Sequence, residues 1–130
     1  MVQGGYLPWT TGSMRPEDLD TLARVLHAPL KGEPPWYELA GLDGIPDGVD
    51  LLVVDGPPAF DSGHGGRRAP ALPWFAGRLV AGAAVMLDDV NRPGEQAVTR
   101  GWEASTDWRF FRDRNIGLAT GRRDPEARNP

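Results

Sequence analysis

Two stretches of the chain share one grammar, an apolar run that stops on acid. The first is Asp50-Leu51-Leu52-Val53-Val54-Asp55-Gly56-Pro57-Pro58. The second is Gly82-Ala83-Ala84-Val85-Met86-Leu87-Asp88-Asp89, continued by Val90-Asn91-Arg92-Pro93-Gly94-Glu95. Each run has the length of a buried strand. The residues between them suit one crossover helix, which is what parallel strands require. The pattern therefore predicts a βαβ unit with carboxylates at the carboxyl ends of both strands. In open α/β sheets, ligands bind at that edge.

With 130 residues and a net charge of −4, the chain suits one small domain. Its 17 glycines and 13 prolines predict that much of it is turn or loop. It has no cysteine, which excludes a disulfide framework and a thiolate metal site. No apolar run approaches the ~20 residues of a membrane span. The N-terminus lacks the basic start and apolar run of a signal peptide, so a cytoplasmic location is expected. The acidic balance argues against a nucleic-acid partner. The basic pairs Arg67-Arg68 and Arg122-Arg123 are too short for such a patch.

Residues 1–23 read as an irregular arm and a short helix. Ser13 can start that helix, with Pro16, Glu17 and Asp18 in its first turn. Leu19, Leu22, Ala23 and Leu26 fall at helical spacing, and Pro29 should end the helix before it. Residues 25–30 also fit a short strand. Trp36, Tyr37 and Leu39 are expected to pack as a turn. Residues 49–55 are the clearest strand, and Leu51 to Val54 reads as buried on both faces. A flexible Gly-rich loop should follow over 56–69. A crossover helix is expected over 70–79, with Leu72, Phe75, Ala76 and Leu79 inward, and the second strand over 82–87. Asn91 can cap a helix over 92–103 that turns Val98 and Trp102 to the sheet. Residues 108–111 and 116–120 predict an antiparallel hairpin joined by 112–115. Residues 122–130 read as a disordered polar tail.

Asp55, Asp88 and Asp89 form the first candidate site. If their strands are neighbours, the strand ends lie about 5 Å apart. Three carboxylates that close repel unless a cation or a donor-rich ligand lies between them. An all-oxygen set suits Mg²⁺, Mn²⁺ or Ca²⁺. The competing reading is that Asp55 caps the Gly-Pro-Pro turn and Asp89 caps the next helix. His64, in the loop after the first strand, is a candidate base at neutral pH, or an exposed histidine without a task. His27 reads as structural. Arg68 and Arg92 fit surface ion pairs with the strand-end acids. Glu95 can offset a helix dipole. Trp36 and Trp74 fit either a pocket wall or the core. The chain has no P-loop, no G-x-G-x-x-G spacing and no Ser nucleophile elbow.

Taken in order, these pieces resemble a known family. Val53-Val54-Asp55-Gly56-Pro57-Pro58, Arg68-Ala69-Pro70-Ala71-Leu72-Pro73 and Leu87-Asp88-Asp89-Val90-Asn91-Arg92-Pro93-Gly94-Glu95 resemble the second half of class I S-adenosylmethionine-dependent methyltransferases. His27-Ala28-Pro29-Leu30 followed by Trp36-Tyr37 adds to the likeness, which covers about residues 24–120. Ala69 departs from the pattern, which has an aromatic residue there. The family sheet has strand order 3-2-1-4-5-7-6. The resemblance makes residues 25–28 strand three, 49–55 strand four, 82–88 strand five, 108–111 strand six and 116–120 strand seven. The implied fold is a truncated Rossmann-like α/β sheet, with strands 4-5-7-6, a displaced strand three and an antiparallel C-terminal hairpin. Residues 24–121 would be this partial domain.

Metal-dependent members carry an Asp at the end of strand four and an Asp-Asn pair at the end of strand five. Asp55, Asp88 and Asp89 occupy similar places, with Asp89 where the amide would stand. The resemblance thus implies Asp55 and Asp88 as catalytic candidates, beside His64 from its place in the loop, and Asp55, Asp88 and Asp89 as ligands for Mg²⁺. The implied chemistry is O-methyl transfer to a small-molecule substrate from S-adenosylmethionine. The Gly-rich strand-one loop and the acid that ends strand two have no match in the sequence. The expectation is therefore a truncated member with no or feeble activity as an isolated chain. Strand three would lack a neighbour, and strand four would expose an apolar edge. Such an edge favours a homodimer or a partner chain, so a non-catalytic interaction module is the alternative. A stand-alone carboxylate metal site of hydrolase type is a third reading.

Overall fold

The computed structural model describes residues 2–3, 22–58 and 66–124. Two compact units divide the chain, Met1–Ile45 and Pro46–Pro130. In the first unit, β1 (Val2–Gln3) pairs in parallel with β2 (Leu26–His27). The segment read as strand three thus has a neighbour, where none was expected. Leu26 lies in a strand and not on a helix face, in keeping with the extended bias that Pro29 imposes on its approach. The arm begins with β1 and not as irregular chain, while its other residues and nearly all of the helix expected from Ser13 lie outside the described residues. β3 (Leu30–Lys31) and β4 (Trp36–Tyr37) form a small antiparallel pair, so Trp36 and Tyr37 belong to a strand and not to a turn. The Glu38 N–H donates to the Pro29 carbonyl at 2.8 Å and closes this hairpin at its base.

The second unit holds β5 (Val49–Val54), α1 (Ala71–Phe75), β6 (Leu79–Asp88), α2 (Pro93–Ser105), β7 (Trp108–Asp113) and β8 (Leu118–Arg123). These strands make one mixed sheet in the order β5-β6-β8-β7. β5 and β6 are parallel, while β8 runs antiparallel to both β6 and β7. The α/β class and the C-terminal hairpin agree with the sequence reading.

Several boundaries differ from it. α1 ends at Phe75, a single 3-10 turn follows over Ala76–Arg78, and Leu79 already belongs to β6. Pro73 sits early enough in α1 that its missing N–H costs no helical bond. The early start of β6 comes from a bulge. Val49 faces Leu79 and Leu51 faces Ala84, so two residues of β5 span five of β6. Gly82, at φ +81°, supplies the left-handed backbone that this excursion needs. Asn91 does not cap α2. Arg92 takes the cap position, and the Asn91 amide donates instead to the Arg114 carbonyl at 2.9 Å. β8 runs through Arg122 and Arg123, which had been read as tail. Arg123 stacks over the Trp108 ring at 5.4 Å and pairs with Asp107 at 3.7 Å. Residues 125–130 lie outside the described residues.

Both crossovers step the same way across the sheet, and right-handed connections then place α1 and α2 on one face. That face carries the core. Leu52, Val85, Gly121 and Phe110 form one cross-strand row, and Val54, Leu87, Ala119 and Arg112 the next. Val85, Leu87 and Ala119 are fully buried. From α2, Val98, Thr99 and Trp102 pack down, with the Trp102 and Phe110 rings 5.5 Å apart. Gly121 admits no side chain, because a Cβ there would collide with the Phe110 ring.

The expected burial of Leu51 to Val54 on both faces is corrected. Leu51 is 48% exposed and Val53 is 51% exposed. They point to the face that no described helix covers. Among the described residues, no helix is long and apolar enough to cross a membrane.

Candidate functional site

The parallel register between β5 and β6 sets Val54 beside Leu87, so the residues that follow come out side by side. Asp55 leaves β5 next to Asp88, the last residue of β6. Asp55, Asp88 and Asp89 each offer a carboxylate oxygen, and these lie within 4.8 Å of one another. The three acids singled out from the sequence are thus brought together.

Asp89 turns the chain sharply. It holds φ +62°, a left-handed conformation that only a short polar side chain tolerates well apart from glycine. Its N–H donates to the Asp88 Oδ1 at 2.8 Å. Its own carboxylate swings between two guanidinium groups, Arg68 at 3.1 Å and Arg92 at 3.3 Å. Asp89 is therefore neither a helix cap nor an uncommitted ligand.

Arg68 is the hub beneath these turns. The sequence suggested a surface ion pair, but Arg68 is only 3% exposed. Its Nε donates to the Pro57 carbonyl at 3.1 Å. Its Nη1 donates to the Asp88 carbonyl at 3.2 Å and to the Asp89 Oδ2 at 3.1 Å. One planar guanidinium thus ties the exit of β5 to the exit of β6, a task that suits its fixed fork of donors. Arg67 adds a second tie, donating to the Pro58 carbonyl at 2.6 Å. Arg92, half exposed, does fit the surface pair expected of it.

Glu95 lies deeper, at 1% exposure, in the first turn of α2. Its Oε1 is 4.0 Å from the Arg68 Nη1, and neither carboxylate oxygen accepts a hydrogen bond from another residue. Burial raises its pKa above the usual carboxylate value, and Asp89 adds to the rise. Its own backbone N–H, Arg68 and Arg92 offset part of that. Offsetting a helix dipole does not account for a carboxylate held this deep.

Asp55 is also raised. Partial burial is the first cause, followed by the Asp88 charge and a hydrogen bond between the two carboxyl groups. Arg68 pulls it back, and Asp89 adds a smaller push upward. Asp55 itself remains exposed, so the pair opens to solvent. Two neighbouring carboxyl groups that share a proton can accept one from a bound hydroxyl or exchange it for a cation. The all-oxygen donors fit a hard divalent cation. Asp55 and Asp88 would hold it, because both Asp89 oxygens already face arginines.

His64 lies outside the described residues. His27 is exposed in β2. Trp74 is half-buried against Phe75, with Arg78 over its ring at 5.1 Å, and Trp36 packs edge-on against Tyr37. The sequence reading missed the burial of Arg68 and Glu95. The usable signal was an arginine and a glutamate whose chain positions bracket Asp88 and Asp89. Comparison with family models, curated proteins and solved structures gives no match for this chain.

Proposed function

We propose that this chain is a half-sheet of the class I S-adenosylmethionine-dependent methyltransferase type, whose carboxylate edge serves the acceptor side of an O-methyl transfer to a small molecule. One observation carries the reading. Adjacent parallel strands end in Asp55 and Asp88, on a sheet whose order β5-β6-β8-β7 reads 4-5-7-6 in the family pattern, with β8 reversed. On this reading, Asp55 and Asp88 hold a divalent cation or take the proton from the acceptor hydroxyl. When bound, such a cation supplies Lewis acidity that lowers the pKa of a coordinated hydroxyl. Arg68 positions both strand exits, and Arg92 balances Asp89.

We confine the assignment to the acceptor side, because no described residue matches the Gly-rich loop by which the family holds the methyl donor. We expect no or feeble methyl transfer by the chain alone. Calorimetric titration with Mg²⁺ and with S-adenosylmethionine tests both statements. The expected result is cation binding that weakens about tenfold or more in Asp88→Asn, and no donor binding. Micromolar donor binding would overturn the acceptor-side assignment, and absence of cation binding would overturn the cation role.

A second reading is a non-catalytic interaction module. It is favoured by the exposure of Leu51 and Val53 on β5, an edge strand with no partner on its outer side among the described residues. Concentration-dependent mass by light scattering tests it, and a strict monomer at high concentration would count against it.

A further inference from the structure

The sheet's second face is ordered by the strand registers. Val53 faces Met86, Met86 faces Thr120, and Thr120 faces Phe111. These four side chains form one cross-strand row, because registered neighbours share a face. Phe111 is 73% exposed and Val53 is 51% exposed at the two ends of the row. Leu51 and Ala84 extend the apolar surface by one row toward the amino ends of β5 and β6. Among the described residues, no helix covers this face. Its middle row is apolar at Val53, Met86 and Phe111 and interrupted only by Thr120, while the rows on either side carry charge on β6, β7 and β8.

The face is also charged in opposite senses at its two ends. On one side of the apolar row, Arg122 faces Arg109 across β8 and β7. On the other side, Leu118 sits between Asp88 and Asp113. A second copy turned over about an axis along the Val53–Phe111 row would set Phe111 against Phe111 and Val53 against Val53. Arg122 of each copy, which is exposed, would then lie on the acidic row of the other, while the Arg109 guanidinium stays on the Glu103 and Trp108 carbonyls at 2.7 Å each. Rotation about an axis along the strands would instead oppose like charges. The geometry thus distinguishes one two-fold arrangement from the other.

Four strands at ~4.8 Å and six residues at ~3.3 Å give a face of about 19 by 20 Å, or about 380 Å² in projection. Two such faces together fall in the small class of interface, below about 1,200 Å² in total, which suits a weak, concentration-dependent association.

We propose that the face formed by Val53, Met86, Thr120 and Phe111 is the contact surface for a second copy of this chain, packed sheet on sheet about a two-fold axis along that row. This rests on the second reading above, for which it names the surface and the partner. Asp113 supplies the acid of its row independently of any cation at Asp88.

Analytical ultracentrifugation over a concentration series tests it on the full chain. Wild type should move from 14.1 kDa toward twice that mass. Phe111→Glu should weaken association about tenfold or more while leaving circular dichroism and melting unchanged. Arg122→Glu and Asp113→Arg should each weaken self-association, and an equimolar mixture of the two variants should restore it. A dimer that Phe111→Glu leaves intact would overturn the sheet-face proposal while preserving the interaction-module reading through the β5 edge. A wild-type chain that stays monomeric would overturn both. Failure of the mixture to restore association would overturn the proposed two-fold arrangement even if the Phe111 variant proved unstable.

Discussion

Both faces of the same four strands carry large apolar residues, but described helices cover only one of them. On one face, Val85, Leu87, Trp108 and Ala119 are buried under α2, and Trp102 donates its ring N–H to the Ala69 carbonyl at 2.8 Å. Glu103 and Arg112 are paired there. Glu103 accepts from Arg112 at 2.6 Å and from the Phe110 N–H at 3.0 Å, and Arg112 donates from Nε to the Thr99 hydroxyl at 3.1 Å. On the other face, Val53 and Phe111 are as apolar as their neighbours Val54 and Phe110, yet they meet solvent. Leu51 to Val54 in β5 and Phe110-Phe111 in β7 put apolar side chains on both faces. The difference between a core and an open surface therefore lies in what the crossovers bring, and both crossovers bring it to one side.

Substitutions should break this comparison unequally. Trp102→Ala removes a large buried ring from the covered face, with its bond to Ala69. It should cost about 3–5 kcal/mol, read by urea unfolding. A result under 1 kcal/mol would mean that α2 contributes little to the core. Arg68→Ala leaves Glu95 and two strand-end carbonyls without their cation, and should cost about 3 kcal/mol. Its loss should be smaller in the double variant with Glu95→Gln, because no buried charge is then stranded.

The covered face and the acidic edge should also respond to pH with opposite sign. Burial alone would raise Glu103, but Arg112, the Phe110 N–H and Arg109 outweigh it and hold its pKa below the usual carboxylate value. Its contribution is present above the unfolded carboxylate pKa and is lost as pH falls through the lower folded value. Asp55 and Glu95 are raised, so their contributions are present below the unfolded value and are lost as pH rises through the folded ones. Glu103→Gln should cost about 1–2 kcal/mol at neutral pH and flatten the acid side of the melting profile. Asp55→Asn should flatten the other side. Exchange of these two effects would contradict the assignment. The smallest effect belongs to the open face. Phe111→Ser should change folding stability by no more than about 0.5 kcal/mol, measured at dilution.

The sequence showed the βαβ frame clearly, because two apolar runs of strand length each stopped on acid. It showed the terminal hairpin in outline, with β8 extended past its expected end by Arg122 and Arg123. It could not show which face of β5 would be bare, since Leu51 to Val54 is apolar at every position. The start of β6 was hidden by a bulge that depends on the pairing partner. Arg68 was misplaced on the surface because its acceptors, Pro57 and Asp88, lie 11 and 20 residues away. Asn91 has the chemistry of a cap, but its amide is drawn to Arg114, a contact set by the hairpin turn and not by local sequence. The acids of the site were legible as a set. Their unequal commitment, with Asp89 held by two arginines and Asp55 leaning on Asp88, was not.

The most direct measurement is the binding of Mn²⁺, followed by electron paramagnetic resonance, to wild type, Asp55→Asn and Asp88→Asn. One bound ion per chain is expected in wild type, with affinity that rises with pH as Asp55 loses its proton, and with binding lost or sharply weakened in both variants. Free Mn²⁺ signal undiminished by the wild-type chain, or binding that survives both substitutions, would contradict the account.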